Sequence, residues 1–160
     1  MDREKVSIER HLNQIKRLET EGKTVMMLAV NGKLAGFVAV ADTLKESAKD
    51  GVKALQNKGI EVVMITGDNQ RTAQAIAEKV GIKRTLAEVL PDQKEAEVRK
   101  IQSEGKVVAM VGDGINDAPA FAAADIGIAM GSGTDVAIES ANIVLVNKDI
   151  KSVASAIELC

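Results

Sequence analysis

The segment 106–119, KVVAMVGDGINDAP, constrains the fold more than any other part of the chain. It opens as an apolar run at 107–111, then breaks into two glycines, two aspartates and an asparagine before Ala118 and Pro119 begin a helix. That is the pattern of a buried strand emptying into an acidic loop. In an open α/β sheet, ligands bind beyond the carboxyl ends of the strands, which puts Asp113, Asn116 and Asp117 where chemistry is usually done. Gly112 and Gly114 permit a turn tight enough to bring both carboxylates to one point. Crowded hard oxygens suit Mg²⁺, and Mg²⁺ in turn suits phosphate. Standing alone, the same stretch is also an ordinary βα turn rich in turn-forming residues.

The rest of the chain supplies the frame. Ile8, Leu12, Ile15 and Leu18 recur at helical spacing and predict a helix over 4–21 that stops at Gly22. Residues 24–30 and 33–41 are apolar runs joined by Asn31 and Gly32, a strong hairpin signal. From Asp42 onward the periodicity alternates. Helices are predicted at 44–58, 70–80, 92–104, 118–124, 136–141 and 150–159, and strands at 60–65, 85–89, 107–111, 126–130 and 143–146. Such alternation implies right-handed βαβ units and a doubly wound, Rossmann-like α/β fold with helices on both faces of a parallel sheet. The expected organisation is an N-terminal helix and β-hairpin, residues 1–41, followed by an α/β core, residues 42–160.

Composition works mainly by exclusion. With 160 residues, 46% hydrophobic and 28% charged, the chain fits a single soluble domain with a small appendage. A net charge of −2 gives no electrostatic case for nucleic acid, and two phenylalanines without tryptophan or tyrosine offer no platform for stacking bases. No run is long enough to span a membrane and no signal peptide is visible, so a cytoplasmic location is expected for this chain by itself. Cys160 is the only cysteine, which excludes an internal disulfide. Met26, Met27, Met64, Met110 and Met130 lie in predicted strands and are expected to fill the core, and His11 is expected to be solvated.

Three strand ends carry chemically useful residues. Thr66, Gly67, Asp68 and Asn69 place a hydroxyl and backbone N–H groups before a helix, a ready anion site or simply a capped turn. Pro91 starts the next helix, from which Lys94 could reach back over the sheet edge toward phosphate. The third end is the acidic loop. A calcium loop is excluded there, because Ile115 occupies the third ligand position and Ala118 stands where glycine is needed. Together, a hydroxyl, a lysine and an acidic pair are what phosphoryl transfer asks for. Two carboxylates beside a phosphate would repel it by several kcal/mol at moderate dielectric, so the metal is required.

These residues resemble a known family. Thr66-Gly-Asp68, Pro91-x-x-Lys94 and Gly112-Asp-Gly-Ile-Asn-Asp-Ala-Pro119 resemble the second, third and fourth haloacid dehalogenase motifs in the form used by P-type ATPases, above all the copper-exporting, heavy-metal branch. Segments 131–137 and 141–145 look like that family's downstream part, and Asp42-Thr-Leu-Lys45 looks like its hinge. The resemblance implies that Thr66, Gly67, Asp68, Lys94 and Asn116 bind the phosphoryl group while Asp113 and Asp117 hold Mg²⁺. It also implies ATP-driven metal export through an aspartyl phosphate at the cytoplasmic face of a membrane, with residues 1–41 the remnant of a nucleotide-binding domain.

The departures are equally informative. The family's nucleophile segment, Asp-Lys-Thr-Gly-Thr, occurs nowhere in these residues, and neither do the His-Pro nucleotide element or the membrane helices. The chain is therefore expected to supply the Mg²⁺-phosphate part of the site, to turn over no ATP by itself, and to have the remainder of the pump as its partner. Two alternatives stay open. One is a stand-alone phosphatase in which the hairpin fills the vacant central strand and presents Asp42 as nucleophile. The other is a non-catalytic module that binds Mg²⁺ with phosphate. A parallel sheet without its middle strand leaves two edges unpaired, which predicts local rearrangement or a homodimer. Which metal is exported is not encoded in these residues.

Overall fold

The computed structural model describes residues 6–41, 44–113, 115–131 and 139–159. A 3₁₀ turn, Glu9–His11, leads into α1 (Leu12–Thr20), whose Ile15 is buried. Next come β1 (Thr24–Val30) and β2 (Lys33–Val40), paired antiparallel from Thr24 opposite Val40 to Val30 opposite Lys33. Asn31 and Gly32 both take positive φ, 49° and 73°, the two-residue turn whose twist matches its strands. Strand alternation turns Met26, Leu28, Val38 and Val40 outward. Met26 is 57% exposed and so is no core filler, whereas Met110 is buried as expected. His11 is exposed as expected, but it also meets Phe37 edge-on with centroids 5.9 Å apart.

The core follows as α2 (Glu46–Asn57), β3 (Val63–Ile65), α3 (Gln70–Val80), β4 (Arg84–Leu86), α4 (Lys94–Ser103), β5 (Ala109–Gly112), α5 (Ala118–Ala123), β6 (Ile126–Met130), β7 (Ile143–Leu145) and α6 (Ile150–Leu159). All core strand pairs are parallel, in two pieces: β3 with β4, and β5 with β6 and β7. Successive residues on β5 and β6 face opposite layers. Met110 and Ala129 pack with Val98, Ala120 and Phe121 of α4 and α5. Val111 and Ile128 pack with Leu55, Val153 and Ala154 of α2 and α6. Helices therefore cover both faces, the doubly wound arrangement expected. Gly51 lets α2 and α6 approach closely, since a Cβ there would stand 2.3 Å from Cγ2 of Ile150 and 2.8 Å from the backbone N of Lys151.

The second layer is continuous across the two sheet pieces, because Ile60 and Val62 before β3 join Val111 of β5 in one apolar cluster. Yet no backbone ladder connects β3 to β5 among the described residues. The strands on either side are shorter than the apolar runs predict. The run 60–65 yields Val63–Ile65 and the run 107–111 yields Ala109–Gly112, because each strand is bonded on one side only. The hairpin does not fill the position. Among the described residues β1 and β2 bond only to each other in their sheet, since a local antiparallel pair closed by Asn31-Gly32 satisfies them first. Asp42, the nucleophile of that alternative, lies outside the described residues, as do Gly114 and residues 136–138 of the predicted helix 136–141. Among the described residues no helix is long and apolar enough to cross a membrane.

Candidate functional site: the carboxyl ends of β3 and β5

At the end of β5 the chain passes through Gly112 and Asp113 into a 3₁₀ turn, Ile115–Asp117, and then α5 with Pro119 in its first turn. Asp117 is turned inward and is 7% exposed. Its carboxylate lies on Gly112, where a Cβ would stand 2.5 Å from Oδ2 and 3.1 Å from Cζ of the buried Phe121. Only glycine fits beneath that carboxylate. Lys94 donates from Nζ to Oδ1 of Asp117 at 2.6 Å, the reach across the sheet edge that its position predicts. It is placed by the turn Pro91–Gln93, in which Gln93 Oε1 accepts the N–H of Leu90. Asp113 and Asn116 are exposed. Asp113 accepts from Nζ of Lys148, in the loop between β7 and α6, at 2.9 Å.

The other end of the strand is pinned as well. Asp125 accepts the backbone N–H of Val108 at 2.8 Å and the side-chain amide of Gln102 at 3.0 Å, and these bonds, the backbone one first, hold its carboxyl below the usual range. β5 is thus fixed just before its start, so its exit loop has a stationary base.

The end of β3 is built differently. The Thr66 hydroxyl accepts the N–H of Asp68 at 3.1 Å and donates to Oδ2 of Asp68 at 3.0 Å. Asp68 Oδ1 in turn accepts the hydroxyl of Thr24 at 2.8 Å, tying the N-terminal unit to this loop. The helix cap is Asn69, whose side chain accepts from the N–H groups of Arg71 and Thr72, so part of the α3 N-terminus is already occupied. Gly67 is exposed, and a Cβ there would meet the carbonyl of Val89 at 3.6 Å. Backbone bonds between Thr66 and Val89, and between Asp68 and Glu88, lead from this loop toward Lys94.

The fold thus unites Lys94 with Asp117 directly, and Thr66 with Asp68, whereas no hydrogen bond joins the two groups among the described residues. Lys148 and Thr24 were not singled out by sequence, and Lys45 was named only as the end of the hinge segment. Lys148 follows the β7 run in Val146-Asn-Lys-Asp149, another strand exit, and that position was the available signal.

Among the described residues no cluster of three or more His, Cys, Asp or Glu could hold a metal. Mg²⁺ asks for less, because one or two carboxylates suffice when phosphate and water complete the shell. Both aspartates already face a cationic nitrogen, and the carboxylate of Asp117 occupies a cradle that a Cβ would fill. The residues present therefore fit Mg²⁺ with phosphate.

Comparison with known proteins identifies the family. The model of the haloacid dehalogenase-like hydrolase family matches residues 2–125, and a second model of the same description matches 95–157. The chain belongs to the haloacid dehalogenase-like hydrolase family. Within it, this chain is 53% identical to a copper-exporting P-type ATPase of Bacillus subtilis (strain 168) over 159 residues, 99% of this chain and 20% of that protein. A copper-exporting P-type ATPase of Staphylococcus aureus (strain JH9) is 52% identical over 153 residues, 95% of this chain and 19% of that protein. The chain therefore spans about a fifth of the length of the curated relatives it matches. Among solved structures, a zinc-transporting PIB-type ATPase in its E2.Pi state superposes with TM-score 0.76 at 42% identity, covering 96% of this chain and 25% of that one. The catalytic domain of the CPx-ATPase CopB-B superposes with TM-score 0.64 at 30% identity, covering 78% and 48%.

Proposed function

We propose that this chain supplies the Mg²⁺- and phosphate-binding part of an aspartyl-phosphate site in an ATP-driven heavy-metal exporter, with copper the metal named for its relatives. The observation that carries this reading is the Lys94–Asp117 pair at the exit of β5, fitted over Gly112. Lys94 provides a fixed positive charge for equatorial phosphoryl oxygens, Asp117 orients that charge, and Asn116 offers an amide to the phosphate or to attacking water. Thr66, Gly67 and Asp68 supply further donors once the Thr66 hydroxyl exchanges its bond to Asp68 for one to phosphate. Asp113 and Asp117 would hold Mg²⁺, which neutralises charge on the phosphoryl group when bound.

The nucleophile comes from elsewhere in this reading. Among the described residues β3 and β5 share a core layer without a ladder between them, the position a further parallel strand would take. The remaining partners are ATP, the rest of a nucleotide-binding domain for which residues 1–41 are the anchor, and membrane helices. The test is to add a separately made segment carrying Asp-Lys-Thr-Gly-Thr on its strand, with Mg²⁺ and a labelled phosphodonor. Acyl-phosphate should form on the added segment only when both pieces are present, and Lys94→Met should reduce it by about 100-fold or more. Label on this chain alone, lost in Asp42→Asn, would replace the proposal with the phosphatase reading.

A further inference from the structure

Lys148 stands outside every motif discussed so far, yet three contacts place it. Its Nζ donates to Oδ2 of Asp113 at 2.9 Å. Its aliphatic stem crosses Gly131 at the end of β6, where a Cβ would come within 2.6 Å of Cε and 2.8 Å of Cγ. Its carbonyl accepts Nζ of Lys45, immediately before α2, at 2.8 Å. Gly131 has φ +82° and its N–H donates to Leu145 at 2.7 Å, so the surface under the stem is itself fixed. The ammonium is thus brought from the β7–α6 loop to the one acid of the β5 loop that faces solvent.

We infer that Lys148 is a positioning residue that occupies Asp113 as a built-in cation and must yield it when Mg²⁺ binds. The inference rests on the proposed metal role of Asp113. A lysine bound to a metal-binding carboxylate does two opposed things. It holds the carboxylate in place and limits local repulsion between Asp113 and its neighbours while the metal is away. It also competes, so every metal ion that takes Asp113 must displace the ammonium. Lys94 differs in kind, because its partner Asp117 is buried and the side chains are only 20% and 10% exposed, against 54% and 59% for Lys148 and Asp113. The exposed pair is screened by water and is the one that can exchange readily. Lys45 adds a second tie, through which displacement of Lys148 would be felt at the start of α2.

The experiment is a Mg²⁺ titration of the whole chain at fixed ionic strength, followed through the backbone amide resonances of Gly112, Asp113 and Gly131. Lys148→Met should bind Mg²⁺ about two- to fivefold more tightly than the parent, the range expected from removing one exposed ion pair. Lys148→Arg should restore parent-like affinity, and the gain should vanish in an Asp113→Asn background. Unchanged or weaker affinity in Lys148→Met overturns the inference while leaving the metal site standing. An equal gain with Asp113 replaced also overturns it, since the effect would then be general charge removal. If Asp113→Asn by itself leaves Mg²⁺ affinity unaltered, the metal role of Asp113 falls and the inference with it.

Discussion

The exits of β3 and β5 lie in one parallel architecture and both carry carboxylates, but they satisfy them by opposite means. At β3 the acid is met by hydroxyls, one two residues away on Thr66 and one 44 residues away on Thr24 of the hairpin, in neutral-donor bonds that anchor the N-terminal unit. At β5 each acid is met by a lysine from a distant element, 23 residues away for Asp117 and 35 for Asp113. A carboxylate tied to neighbouring hydroxyls is already part of the architecture. One held by a long, flexible ammonium keeps a strong affinity for any other cation that arrives. The first loop ties the N-terminal unit to the core, and under the proposed function the second is where the exposed acid, Asp113, exchanges its cation.

That contrast can be challenged directly. Phe121 is 1% exposed and forms the floor under Gly112 and Asp117. Phe121→Ala should cost about 3–5 kcal/mol in urea unfolding. Amide shifts should concentrate at 110–120 while those of Thr66 and Asp68 stay near the parent, and equal disturbance of both loops would mean that they are not independent. Lys94→Met leaves the inward-facing carboxylate of Asp117 without its donor and should cost about 1–3 kcal/mol. Adding Asp117→Asn should recover part of that loss, and no recovery would show that the lysine acts through its stem. Thr24→Val removes a single exposed hydrogen bond and should cost only about 0.5–1.5 kcal/mol. Its signature is faster amide exchange at Asp68 and in β1 with Mg²⁺ affinity unchanged, and a change in that affinity would tie the β3 loop to the metal after all.

Chemistry within a strand exit was readable in advance, and so was the reach of Lys94, but the partners that meet Asp113 and Asp68 from distant elements were not. Asn31-Gly32 specified its hairpin because the turn conformation belongs to two adjacent residues. α3, β6 and α6 begin and end where their periodicity and flanking residues place them, and the exit of β5 was visible from its sudden change of composition. Strand lengths were overestimated at β3 and β5, since apolarity marks what is buried while a strand also needs a bonded neighbour. Met26 was misplaced because alternation alone does not say which face of a two-stranded ribbon is covered. Lys148 and Thr24 escaped notice because they meet their acids only once the chain has crossed the sheet.

The short facing edges have one more implication. β3 offers three residues and β5 four, and each runs parallel to the neighbour it is bonded to. In the proposed assembly a guest strand parallel to both would deliver its final residue beside the acidic exit and keep its first at the opposite end. With so few rungs on each side, a reversed or slipped guest gains little hold. In that assembly a correctly aligned strand would be bonded from two sides at once.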